Sequence, residues 1–235
     1  QATFRLSAGR GKRAANIIAE NQQLLASARQ LSIIESNNGK LYGLNPEIAW
    51  NYGLSFLQSF KVWGKSAEFS IDFYRTDFDN QAVVDVDNSP QKALFYNLQG
   101  KSFANSLQAE LSLTPTQGLD IKAAYKYYNV QTQFTDKLLE KVLTPRHRWF
   151  ANIGYETADS HDKHHAQWKF DVTFNWLGKQ RLPFTATNPQ KYQLSEYAPA
   201  FATLNAQITK VFSKTFEVYI GGENITNYKQ EKGIL

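Results

Sequence analysis

The 235-residue sequence contains no cysteine and no methionine. The first absence excludes a disulfide-stapled domain and any metal site built on thiolates. The second leads to the expectation that the chain is a processed product or an excerpt of a longer one. Long apolar runs are missing as well: no stretch approaches the roughly 18 consecutive apolar residues of a transmembrane helix. No secretory leader or lipidation motif stands at the start. Charge of one sign is not concentrated anywhere. The 26 Lys and Arg against 21 Asp and Glu give +5, the basic residues are scattered, and no nucleic-acid motif occurs, so no nucleic-acid partner is expected. Nucleophile elbow, P-loop and HExxH are all lacking, and Ser195 beside Glu196 has no histidine near it in sequence, so no enzymatic activity is expected and no cofactor is called for.

What the sequence does have is aromatic surface. Sixteen Phe, 12 Tyr and 5 Trp make up 14% of the chain, within 42% hydrophobic residues, a composition far from that of disordered chains. These residues alternate with polar ones at a period of two. Trp168, Phe170, Val172, Phe174 and Trp176 interleave with Lys169, Asp171, Thr173 and Asn175, giving one aromatic and one ionic face. The same dyad recurs in Ala67, Phe69, Ile71, Phe73 against Glu68, Ser70, Asp72, and in Leu119, Ile121, Ala123, Tyr125, Tyr127 against Asp120, Lys122, Lys126.

Counted in this way, the chain holds nine candidate strands, near residues 2–10, 49–60, 67–79, 97–113, 119–132, 147–156, 166–178, 201–211 and 216–226. Most reach the roughly 9 to 11 residues that cross a bilayer as a tilted strand, against about five or six in ordinary sheets. The connections alternate strictly in length. Residues 61–66, 114–118, 157–165 and 212–215 are short, whereas 11–48, 80–96, 133–146 and 179–200 are long. Outer-membrane barrels place short turns on the periplasmic side and long loops outside, and a soluble sandwich has no reason to sort loops by parity. The fold class that follows is all-β, an antiparallel transmembrane β-barrel. Nine strands are an odd number, so the barrel is expected to be incomplete, with a C-terminal strand and an N-terminal portion lying outside the chain.

On the barrel reading Trp50, Tyr52, Trp149, Trp168 and Trp176 face lipid, some of them in interfacial girdles. Arg5, Glu68, Asp72, Glu110, Lys122, Lys126, Lys169, Asp171, Glu217 and Glu223 line the lumen, where charges need partners. His161, His164 and His165 with Asp159 and Asp162 are the one metal-like cluster, but they fall in a short turn and read as solvated polar residues, so no metal site is assigned. His147 between Arg146 and Arg148 gives a positive strand start suited to an anionic ligand or a lipid A phosphate.

Several local motifs, in this order and spacing, resemble the TonB-dependent outer-membrane receptors. Thr3-Phe4-Arg5-Leu6-Ser7-Ala8-Gly9-Arg10-Gly11 is similar to the strand before a large extracellular loop of that family. Leu44-Asn45-Pro46-Glu47 with Trp50-Asn51-Tyr52-Gly53 resembles the start of the next strand, Pro145-Arg146-His147-Arg148 a further strand start, and Gly222-Glu223-Asn224-Ile225-Thr226-Asn227 an element one strand before the C-terminus. The haem-receptor elements FRAP and NPNL are replaced by Arg10-Gly11-Lys12-Arg13 and Leu44-Asn45-Pro46-Glu47, which speaks against haem.

The resemblance implies that residues 1–235 are the C-terminal portion of a barrel of about 22 strands closed by a plug, with the plug and the TonB-binding segment upstream and the last strand after Leu235. It implies active import of a scarce nutrient, such as siderophore-bound iron or cobalamin, across the outer membrane of a Gram-negative bacterium. The implied partners are TonB, the receptor's own plug, outer-membrane lipid and lipopolysaccharide, and the small nutrient ligand. Ligand contacts in such receptors lie on the plug apices and on the outward-opening wall and loops. That nominates Arg10, Arg13, Tyr128, Phe134, Arg146, His147, Phe184 and Tyr192 as ligand-binding residues. The alternatives are a plugless porin or adhesin and a soluble all-β binding module; the last predicts extraction without detergent.

Overall fold

A computed structural model describes residues 1–34, 41–134, 137–158 and 167–230. The nine long strands are β1 (Ala2–Arg13), β2 (Glu47–Val62), β3 (Lys65–Asn80), β4 (Ser102–Thr116), β5 (Leu119–Phe134), β6 (His147–Glu156), β7 (Gln167–Leu177), β8 (Phe201–Ser213) and β9 (Phe216–Gly222). They form one antiparallel sheet in sequence order, each strand bonded to the next along the chain. Among the described residues β1 and β9 do not pair with each other, so the sheet is an open arc of wall. Among the described residues no helix is long and apolar enough to cross a membrane.

Most strand ends lie within three residues of the sequence expectation, and two differ by more. The strand expected at 97–113 starts at Ser102, because Lys92–Asn97 belongs to a separate small sheet. The strand expected at 216–226 stops at Gly222. Asn224 and Asn227 there take left-handed backbone (φ 49 and 51), and the Asn224 side chain accepts from the Tyr228 N–H and donates to the Tyr228 carbonyl, closing a local turn.

Register carries the alternation across the wall. Trp149 pairs with Tyr125 and Trp176, Ile153 with Ile121 and Val172, and Trp168 with Lys210. On the opposite face Asn152 pairs with Lys122 and Thr173, and Asp171 with Gly154 and Gln207. The aromatic residues expected to face lipid therefore share one face. The charged set expected in the lumen shares the other, apart from Glu223, which lies past the end of β9. Burial is inverted relative to a soluble domain. Among the described residues, of the buried apolar ones only Ala67 lies in the wall, while Phe4, Leu6, Trp149, Ile153 and Ile220 on the outward face are exposed. Lipid is the solvent that makes such a surface stable.

Tight turns close the short-loop end. Trp63 and Gly64 (φ 49 and 78) join β2 to β3, and Gly118 (φ 80) joins β4 to β5. A Cβ on Gly118 would lie 2.1 Å from the Glu156 carbonyl, the same neighbour whose N–H bonds the Gly118 carbonyl at 2.7 Å. Within the wall, Gly53 leaves room for the Tyr74 ring, which a Cβ would meet at 2.6 Å.

The long loops fold on one another. Gln30–Ile33 pairs in parallel with Lys92–Asn97, which also pairs antiparallel with Ala82–Asp85. Ala15, Ile17, Leu24 and Leu44 from the first loop pack against Val86, Ala93 and Phe95 from the second. Residues 178–200 join them through one carboxylate. Arg181 meets Asp87 in a bidentate pair at 2.7 and 3.1 Å, and Asp87 also accepts from the Phe184 N–H at 2.8 Å. Arg29 donates to the carbonyls of Val86 and Ser89 at 2.9 Å, holding the turn that carries Asp87.

Two outcomes are expected. Phe170 lies three residues inside the short-turn end of β7, and Val172 lies midway between Trp168 and Trp176, so the depth penalty for a cation peaks at Val172. Val172→Arg should cost about 2 to 4 kcal/mol in folding into lipid vesicles, and Phe170→Arg less; equal costs at both positions would count against this placement. Asp87→Asn strands Arg181 in a site where its side chain is 10% exposed. It should speed amide exchange across residues 178–200 roughly a hundredfold, about 3 kcal/mol of local stability, with the wall unaffected.

Candidate functional site

Where the lumenal face of β1 to β5 meets the folded loops, it encloses a cavity of 300 Å³. Parity decides which side chains enter it. On β5 the lumenal positions above Lys126 are Tyr128, Val130, Thr132 and Phe134, and on β1 the last lumenal residue is Arg13, opposite Glu47. Tyr128, Phe134 and Arg13 all line the cavity, with Phe78, Glu47, Glu140, Lys141 and Arg181. The sequence nominations are thus brought together for these three residues.

The electrostatics of the cavity are internally balanced. Arg13 bonds Glu47 at 2.6 Å and Glu20 at 3.0 Å; Glu47 is 5% exposed, so its charge depends on that arginine. Arg146 pairs with Glu140 at 2.6 Å, and Arg181 donates to the Glu140 carbonyl at 2.6 Å. Tyr197 reaches the Glu140 carboxylate at 3.4 Å; partial burial, and then the Glu140 charge, push its hydroxyl above the usual tyrosine pKa. In the loop sheet, burial followed by the Asp85 carboxylate does the same to Tyr96, whose hydroxyl donates to Asp85 at 3.1 Å. Aromatic faces and hydrogen-bonding groups with no large excess of either charge make a lining suited to a ligand that stacks and hydrogen-bonds. Arg146 keeps a buried Nε without an acceptor.

The remaining nominations fall elsewhere. Arg10 is on the outward face of β1, beside Trp50, and bonds Asp79 at 3.1 Å. His147 is also outward, its Nδ1 2.7 Å from the Tyr125 hydroxyl and its ring next to Tyr127. Phe184 is 49% and Tyr192 61% exposed in the loop 178–200, with Lys191 over the Tyr192 ring. The alternation that separates Arg10 from Arg13, and His147 from Arg148, is visible in the sequence and places both residues outside the chamber. Glu47, Asp87, Glu140 and Arg181 were not nominated. Glu47 meets Arg13 through the β1–β2 register, whereas the roles of Asp87, Glu140 and Arg181 arise from loop packing across up to 94 residues, for which no local pattern exists. Among the described residues no three His, Asp or Glu side chains converge on a metal position. Asp159, His161, Asp162, His164 and His165 lie outside the described residues.

A family model, TonB dependent receptor-like, beta-barrel, matches residues 1–225. A comparison with curated proteins finds no match. Among solved structures, the chain is similar to FpvA of P. aeruginosa bound to a heterologous pyoverdine, at 13% identity and a TM-score of 0.65, covering 97% of this chain and 27% of that one. It is similar to the ferric-catecholate import receptor Fiu of E. coli K12 (12% identity, TM-score 0.63, 97% and 29% covered). The ferric enterobactin receptor PfeA of Pseudomonas aeruginosa gives 18% identity and a TM-score of 0.59, with 97% and 33% covered. The chain spans a third or less of the length of these structures. At such identities they establish the shared barrel fold. With the family model matching nearly the whole sequence, the chain belongs to the TonB-dependent receptor β-barrel family, whose members are outer-membrane transport receptors rather than enzymes.

Proposed function

We propose that this chain is one side of the ligand chamber of an active importer in a Gram-negative outer membrane. The receptor captures a scarce nutrient from outside, and TonB, engaging a segment beyond this chain, draws it past the receptor's own plug. The observation that carries the reading is the cavity at the long-loop end, where Arg13, Tyr128 and Phe134 converge beneath loops that fold as one cap. Siderophore-bound iron is the first substrate class, in keeping with the names of Fiu as a ferric-catecholate import receptor and PfeA as a ferric enterobactin receptor; cobalamin is the second. The rigid cap and wall supply selectivity, and the lumenal charges of β3 to β7 face the plug.

Tyr128→Ala and Phe134→Ala in the full-length receptor should each weaken binding of the cognate ferric chelate about tenfold, with outer-membrane amounts unchanged. Growth of a receptor-deleted strain on limiting iron or cobalamin, complemented by the full-length gene, identifies the nutrient. A proton uncoupler should abolish accumulation and spare binding. Accumulation that continues in uncoupled cells would mark a passive pore instead.

A further inference from the structure

Arginines and lysines on the outward face are treated differently. At the long-loop end each arginine has a carboxylate on the same face: Arg10 bonds Asp79, and Arg75 bonds Asp77 at 2.6 Å and Asn105 at 3.2 Å. At the short-turn end Lys210 stands opposite Trp168 and Val218. Its ammonium lies over the Trp168 ring, 4.6 Å from the centroid. On the same face Phe212 and Phe216 tilt against each other, their ring centroids 5.6 Å apart, and Lys214 adds a second cation in the exposed turn between β8 and β9.

No Asp or Glu shares that outward face in the described residues of β6 to β9. Glu156 pairs with Lys169, and Asp171 with Gln207, on the lumenal side, while Glu217 sits opposite Val211, also lumenal. The lumenal pair Lys169 and Glu156 comes to 3.8 Å, so lumenal charge near this end is met within the protein. Among the described residues Lys210 has no such carboxylate. A cation held against an indole at the margin of an apolar band is only partly hydrated, and a partner anion stabilises it. The aromatic side chains fix the depth of this site at the interface, where headgroup phosphates lie.

We infer that Lys210, Lys214 and Trp168, with Phe212 and Phe216 lying between the two lysines along β8 and β9, form a binding site for the phosphate of an anionic phospholipid in the periplasmic leaflet. The inference rests on the membrane-receptor reading, which sets the short turns on the periplasmic side. The lipid phosphate sits between the two ammonium groups, and its acyl chains run down the apolar face of Phe170, Ile208 and Ile220. The site anchors the wall at a fixed depth and has no part in nutrient binding.

The test is native mass spectrometry of the full-length receptor released from nanodiscs with equal phosphatidylglycerol and phosphatidylcholine. Wild type is expected to retain phosphatidylglycerol preferentially. Lys210→Gln with Lys214→Gln should reduce that preference roughly thirtyfold, about fivefold per cation. If the double variant does not fold, Lys214→Gln alone, in the exposed turn, should show the single fivefold step. No preference in wild type, or an undiminished preference in the variant, overturns the inference. Complete displacement of the lipid by inorganic phosphate also overturns it, since the site would then read a free anion. Heat-modifiable migration after folding into vesicles is scored in parallel. A wild-type receptor that never acquires it sinks the membrane reading itself, and that failure is distinct from a folded receptor that ignores phosphatidylglycerol.

Discussion

Hydrocarbon offers no hydrogen bonds, so a chain that crosses it must pair every backbone N–H and C=O within the protein. The wall follows from that requirement. The β1–β2 ladder runs unbroken from Ala2↔Gln58 to Arg13↔Glu47, and the irregularities in β2–β3, β4–β5 and β8–β9 fall at Ile48/Ala49, Leu113/Thr116 and Val211/Ser213, all near strand ends. Continuous ladders impose continuous alternation. Once Trp168 faces lipid, Lys169 and Asp171 must face the lumen, and the neighbours in register inherit the same division.

Outside the bilayer the constraint relaxes and ordinary burial returns. The apolar cluster around Phe95, 2% exposed, is that of a small soluble domain, and the Asp87–Arg181 pair joins it to a third loop. The chamber lies at the junction of the two regimes. Its floor is wall, placed by register, and its roof is loop, placed by hydrophobic packing. Tyr128 and Phe134 belong to the first regime, Glu140 and Arg181 to the second.

That division also sets what could be read from sequence. The wall strands were legible because lipid on one side and a polar lumen on the other write a period of two into strands such as β7, and because the parity of loop length is a property of the sequence alone. Arg13, Tyr128 and Phe134 are legible only by height, at or above the outer strand ends; their lumenal direction follows from how far β1 and β5 extend. Arg10 and His147 were nominated by height without regard to face, although their parity with Phe4 and Trp149 sets them outward. The loop sheet was not legible. Its parallel pairing of residues 30–33 with 92–95 joins segments with two wall strands between them, and short mixed runs such as Gln30–Ile33 carry no period that distinguishes a strand from a coil. The early stop of β9 depends on two asparagines adopting left-handed backbone, which the Asn-Ile-Thr-Asn spelling permits but does not require.

The shared nucleus of the first two loops ties the cap to the wall. Ile17 and Leu24 come before β2 and β3, and Ala93 and Phe95 after them. The two loops flank the β2–β3 hairpin, and its pairing brings their apolar residues together. A β2–β3 hairpin that is not fully paired would leave Phe95 without Ile17, so the packing of the cap depends on the wall beneath it.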